Sequence, residues 1–194
     1  MRAARFPLKK SLDDFDFNNL PNVEEAVVWQ FATGEFVDRH ENIIMIGNPG
    51  TGKTHLTIGL GIRLCKQKYK VRFYTAANLV TELVEARDDH RLSRLEQKLE
   101  KMDLLIVDEL SYLTFSKSQS ELLFHLLSIR NERGSVIITT NLEFSRWGEL
   151  FSDSMLTAAL IDRLTHHARI PNMNGESYRF KQRLSKETGG FAMA

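Results

Sequence analysis

A chain of 194 residues, 42% of them hydrophobic, can bury one sizeable core, so one domain is expected and two would each be small. Its 26 Lys and Arg against 25 Asp and Glu exclude a global basic field, and any nucleic-acid contact falls to a local patch. The single cysteine, Cys65 in the apolar stretch Ile62-Arg63-Leu64-Cys65, excludes an intrachain disulfide and favours a reducing compartment; no segment has the apolar length to cross a bilayer, so a soluble cytoplasmic protein without a membrane partner is expected.

Along the chain, residues 1–20 read as an N-terminal arm laid on a core, polar from Lys9 onward with Phe15, Phe17 and Leu20 spaced through it. Helical spacing follows over Val23 to Phe36 through Val27, Val28 and Phe31. The apolar run Asn42-Ile43-Ile44-Met45-Ile46 predicts a buried strand, and Leu56, Leu60 and Leu64 predict a helix to about Gln67. A strand is expected over Val71 to Thr75, helices over Ala77 to Arg87 and Leu92 to Met102, and a buried strand over Leu104 to Asp108. Ser118 to Arg133 has good helical period, with Gly134 expected to end it before a strand at Ser135 to Thr140. Met155 to Thr165 predicts the last clear helix and Ala168 to Ile170 a short last strand. Uninterrupted apolar strands alternating with helices imply a parallel sheet covered on both faces, a three-layer α/β fold over residues 21–185. Residues 186–194, with Gly189-Gly190, hold too little apolar surface to fold alone and read as a flexible tail.

The chemistry starts at Gly47-Asn48-Pro49-Gly50-Thr51-Gly52-Lys53-Thr54, between the first strand and its helix. Glycines at this spacing let successive backbone N–H groups turn onto an anion at a helix N-terminus. On that reading Lys53 reaches the terminal phosphates and the Thr54 hydroxyl holds Mg²⁺; the bland alternative is a glycine-rich turn. Asp108-Glu109 closes the third strand and puts two carboxylates beside the loop in a P-loop fold. Asp108 would bind Mg²⁺ through water and Glu109 would orient and deprotonate the attacking water, unless the two are only a surface acidic pair. Asn141, at the carboxyl end of the next strand, would hold that water or a γ-phosphate oxygen, or else serve as a turn residue. Adjacent His166-His167, with no further ligand at metal spacing, make a poor metal site.

These motifs, with Phe144-Ser145-Arg146-Trp147-Gly148-Glu149-Leu150-Phe151, the segment from Ala159 to Ala168 and Gly175-Glu176-Ser177-Tyr178-Arg179, resemble the AAA+ ATPases, and within them the DnaC/IstB group. The likeness runs from about Lys9 to Arg183 and is greatest to IstB-like helper ATPases of insertion-sequence transposition. It implies a five-stranded parallel sheet without a separate helical lid, ATP and Mg²⁺ as cofactors, and a homo-oligomer with ATP sites at subunit interfaces. It also implies assembly on DNA to regulate or recruit a transposase, with a replicative helicase as the alternative client. Under the resemblance Arg163 is the arginine finger of a neighbouring site and Arg179 a second sensor arginine. From the residues alone Arg163 is equally a helix-terminal cation and Arg179 equally a solvated charge. His55 fits the family pattern after Thr54. Family members commonly carry an additional N-terminal helical region, whereas this chain opens almost at the ATPase core. They usually have Gly where this chain has Ser111, a difference expected to cost little.

DNA contact is expected between the second and third strands, where Arg87, Arg91, Arg94 and Lys98 recur at spacings of three and four. One basic helical face would track backbone phosphates with little sequence preference, the alternative being a solvated face with its own ion pairs. A small-molecule kinase shares the phosphate loop, but the acceptor pocket and Arg-rich lid it needs are not visible here.

Overall fold

The computed structural model describes residues 2–19, 22–178 and 183. Five strands, β1 (Asn42–Ile46), β2 (Val71–Thr75), β3 (Leu104–Asp108), β4 (Ser135–Thr140) and β5 (Ala168–Arg169), form one sheet in the order β2-β3-β4-β1-β5. All neighbours are parallel, with Ile43 opposite Ile137, Leu105 opposite Val136 and Thr75 opposite Asp108. Every residue of β1, β3 and β4 is buried, as strands covered on both faces must be.

The two faces carry separate cores. Ile44, Leu105, Val107 and Ile138 meet Leu79 and Leu83 of α4 (Ala76–Asp88), Leu95 and Leu99 of α5 (Leu92–Glu100), Leu123 and Leu126 of α6 (Lys117–Arg130), and Leu160 and Leu164 of α7 (Ser154–Thr165). Ile43, Met45, Ile106 and Ile137 meet Val28 and Phe31 of α1 (Glu25–Phe31), Phe36 of α2 (Glu35–Asp38), and Leu56, Leu60 and Leu64 of α3 (Lys53–Lys66). The period-two pleat of each strand feeds both cores alternately, which gives the expected α/β three-layer architecture. The described part of the N-terminal arm belongs to the second core: Leu12 is buried against Gly59 and Phe6 packs on Gly61. Among the described residues no helical bundle follows β5, and the tail expected at 186–194 lies outside them.

Boundaries differ from expectation in two places. Val23 to Phe36 is not one helix, because Thr33 and Gly34 separate α1 from α2, Gly34 has φ 90°, and the Tyr69 ring fills the space its side chain would occupy. Helix α6 stops at Arg130 rather than Arg133, turning through Asn131 (ψ 131°) and Glu132 (φ 62°). Gly134 therefore serves packing instead of termination. The buried guanidinium of Arg130 lies against it and donates to the carbonyls of Leu99, Met102 and Ser135. Burial pulls the pKa of Arg130 down to about 10, and those carbonyls, one at the end of α5, are what make a buried cation tolerable.

Local signals explain other helix starts. The Thr75 hydroxyl accepts from the Asn78 amide at α4, Asp153 caps α7, and Ser116 with Gln119 forms a capping box at α6. In the stretch Phe144 to Phe151, a 3-10 helix (Phe144–Glu149) buries Trp147 completely, and Phe151 stacks on Phe115 at 5.4 Å.

Candidate functional site

The carboxyl ends of β1, β3 and β4 lie side by side, and the residues that leave them form one constellation. From β1 the chain enters the loop Gly47 to Gly52 and then α3. Gly50 (φ 82°) and Gly52 (φ 94°) take left-handed conformations that strain any side chain. Gly52 stands at the N-cap of α3 with no side chain capping that end and no acidic residue in the first turn. A 14-residue helix left open in this way presents its positive end to an anion.

Lys53 is buried, and its Nζ donates to the loop carbonyls of Gly47 (2.6 Å) and Asn48 (2.8 Å). Thr51 Oγ1 donates to the Asn48 carbonyl at 2.9 Å and stiffens the same turn. Thr54 Oγ1 reaches across to β3 and donates to Asp108 Oδ1 at 3.3 Å, while Thr139 Oγ1 of β4 donates to the same oxygen at 2.6 Å. Asp108 is only 2% exposed. Desolvation raises its pKa above the ordinary carboxylate value, against the opposing pull of the two hydroxyls and the Lys53 charge. A buried carboxylate held by neutral hydroxyls is costly to ionise, and a hard divalent cation beside it would remove that cost. The oxygen set of Thr54 and Asp108 therefore fits Mg²⁺, and the open helix end with Lys53 fits a polyphosphate.

Glu109 follows in a left-handed conformation (φ 62°, ψ 45°), with its amide donating to Thr139 Oγ1 at 2.8 Å. Its side chain is exposed although its backbone is held, in a conformation that is uncommon for a non-glycine residue. Asn141 emerges from β4 just after Thr140, whose carbonyl accepts the Gly47 amide at 3.2 Å. The structure thus gathers Lys53, Thr54, Asp108, Glu109 and Asn141 around one loop. Sequence reasoning missed Thr139, the hydroxyl joining both acidic residues to β4; the signal available was a pair of threonines closing an otherwise apolar strand.

Two segments border the loop. The Met173 amide donates to the Ile46 carbonyl at 2.6 Å, Asn48 Nδ2 to the Gly175 carbonyl at 3.5 Å and the Tyr178 amide to the Gly50 carbonyl at 3.1 Å. A side chain on Gly47 would run into the Met173 backbone. On the other side Phe15 of the arm lies over Gly52 and meets the His55 ring edge-on at 5.2 Å. His55 Nε2 contacts the Ser11 carbonyl at 2.8 Å, so its ring braces the arm, leaving its backbone for any part in the phosphate cradle. Pro49 is an exposed loop residue.

Other expected site residues lie elsewhere. Arg163 is exposed on α7, stacks over the Phe124 ring at 4.7 Å and bonds Ser128 of α6. Arg179 lies outside the described residues. The single basic helical face does not form. Helix α4 ends at Asp88 and α5 begins at Leu92, with His90 (φ 55°) turning the chain between them. Arg87 bonds Asp88 and Ser118, whereas Arg91, Arg94 and Lys98 line a cleft of about 1040 Å³ with Arg5, Glu82 and Glu85. Spacing of three and four organises charges only within one continuous helix. The rings of His166 and His167 sit 4.3 Å apart, and among the described residues no cluster of metal-ligating side chains is found. Cys65 is half-buried, and desolvation raises its thiol pKa. Among the described residues no helix is long and apolar enough to cross a membrane.

The family described as IstB-like ATP binding protein matches residues 1–186. An insertion sequence IS21 putative ATP-binding protein from Pseudomonas aeruginosa is 41% identical over 183 residues, covering 94% of this chain and 69% of that protein. Among solved structures, a DnaI crystal structure aligns with TM-score 0.70 at 19% identity over 84% of this chain and 90% of its own. A DNA replication initiation factor aligns with TM-score 0.67 at 19% identity over 93% of this chain, which spans 55% of that longer one. At such identities the structures speak for the fold, a P-loop AAA+ core.

Proposed function

The chain belongs to the IstB-like ATP binding protein family, and from that premise we propose that it binds and hydrolyses ATP with Mg²⁺, assembles on DNA as a homo-oligomer and uses its nucleotide state to regulate or recruit a transposase. The observation that carries the hydrolytic reading is the hydroxyl–carboxylate link from Thr54 through Asp108 to Thr139 and on to the Glu109 amide. It ties the phosphate loop to the turn that carries Glu109. Lys53, now resting on loop carbonyls, is within the cradle to meet terminal phosphates. Thr54 and Asp108 would hold Mg²⁺, which supplies charge neutralisation on the phosphate oxygens. Glu109 takes a proton from the attacking water and Asn141 orients it. Water adds to the γ-phosphorus, the bond to the β-phosphate oxygen breaks, Glu109 returns its proton to the phosphate formed, and ADP and phosphate leave.

Arg163, exposed and remote from its own loop in its contacts, is suited to act in a neighbour's site, which makes turnover depend on assembly. Arg91, Arg94 and Lys98 would meet DNA phosphates from their cleft. Insertion-sequence relatives favour transposase as the client. The test is phosphate release from Mg-ATP in the presence of duplex DNA with no acceptor, together with co-purification against transposase and replicative helicase. Release that needs Glu109 supports the reading, and an idle protein that still binds nucleotide overturns hydrolysis. Retention of helicase but not transposase overturns the client.

A further inference from the structure

The β3–β4 ladder has its last paired residues at Val107 and Ile138. Beyond them β3 ends at Asp108 and the chain turns away at the left-handed Glu109 into a 3-10 turn, Leu110–Tyr112, while β4 runs on to Thr140 and delivers Asn141. The chain's turn at Glu109 removes the backbone acceptor that a longer β3 would offer β4. Two hydroxyls take up the slack in opposite directions. Thr139 of β4 accepts the Glu109 amide at 2.8 Å, and Ser111 Oγ of the turn accepts the Asn141 amide at 2.9 Å. The two amides so held belong to the two residues assigned to the attacking water. Leu142, the next residue, is tied back to Thr140 Oγ1 at 3.0 Å, so Asn141 sits between two side-chain anchors at the point where regular pairing ends.

From this cross-brace we infer that Ser111 is a positioning residue for hydrolysis, holding Asn141 and the Glu109 turn at a fixed separation; the inference rests on the ATPase reading above. In this chain the hydroxyl supplies the acceptor for a half-buried N–H, which a residue without a side-chain oxygen cannot supply. Loss of the brace lets the Asn141 amide and the Glu109 carboxylate drift relative to each other. Misplacement of orienting groups by even about 1 Å is costly to turnover. A serine that costs little where relatives usually have glycine is, on this inference, also a contributor in this chain.

The test uses the full chain with Mg-ATP and DNA. Ser111→Ala is expected to lower kcat about tenfold with KM unchanged, the signature of lost transition-state positioning. Ser111→Thr, which keeps the acceptor, should restore kcat. Ser111→Cys, nearly isosteric but a weak acceptor, should fall with alanine and stands in for it should alanine fail to fold. In an Asn141→Ala background, Ser111→Ala should add no further loss, since it acts through Asn141. An unchanged kcat with a lowered melting temperature, a raised KM alone, failure of threonine to rescue, or losses that multiply in the double variant would each overturn the role. A wild-type protein that releases no phosphate would instead bring down the ATPase reading itself, a separate readout.

Discussion

The loop edge of the sheet and the α4–α5 edge both carry charged residues, yet they are organised by opposite rules. At the loop edge Lys53 and Asp108 are buried, and hydrogen-bonded partners surround them. A buried polar group without partners costs about 1–3 kcal/mol or more, so only a narrow set of geometries is stable. At the α4–α5 edge Arg87 is half-buried and Arg91 exposed, and both are satisfied by sequence neighbours, Asp88 and Asp89. Exposed pairs contribute only about 0–1 kcal/mol, so nothing there holds a ligand-ready arrangement. The loop edge is fixed by buried hydrogen bonds, whereas the basic edge would have to exchange existing ion pairs to take a ligand.

The comparison would be broken most severely at Arg163, an exposed residue expected to matter as much as any buried one. Arg163→Ala should cut phosphate release about a thousandfold in the assembled protein, with nucleotide affinity of the isolated chain unchanged in a fluorescent-analogue titration; equal turnover would assign it to the Phe124 and Ser128 contacts alone. Glu109→Gln should lower kcat about a hundredfold or more while ATP binding persists, and an unaltered rate would remove Glu109 as the base.

At the α4–α5 edge, replacing Arg91, Arg94 and Lys98 together should flatten the plot of log affinity for duplex DNA against log salt by about 3 if each meets one phosphate. Arg87→Ala, pointing toward Ser118, should hardly change the slope. An equal effect from Arg87 would restore the single basic face that the helix break argues against.

The smallest effect sharpens the comparison through stability. Asp108 has a raised folded pKa, so as pH rises from the unfolded value through the folded one the unfolded chain releases its proton first and stability falls. Above both values the full penalty is present. Asp108→Asn should therefore raise the melting temperature at neutral pH, by an amount that shrinks on acidification, while abolishing the further rise that Mg-ATP gives the wild type. A lowered melting temperature at neutral pH would contradict the desolvation account.

Much of this was legible in order and spacing. The apolar runs located all five strands, and the loop, the Asp108-Glu109 pair and Asn141 stood at three strand ends that a parallel sheet brings to one edge. What escaped were groups whose value lies in who sits opposite. Thr139 reads as the end of a strand and Ser111 as a difference of little cost, and nothing in the spacing announces that their hydroxyls accept the Glu109 and Asn141 amides. Arg87 and Arg91 read as one face because spacing does not announce that His90 turns the chain.

Local pattern determined the elements and the chemistry of the phosphate loop, because burial period and glycine placement act over a few neighbouring residues. Only the tertiary structure decided which hydroxyls brace the carboxylates, where Arg130 could hide a cation, and which basic side chains share a cleft. Those outcomes depend on pairings between residues some thirty positions apart, and a buried polar atom accepts whichever partner the packing delivers.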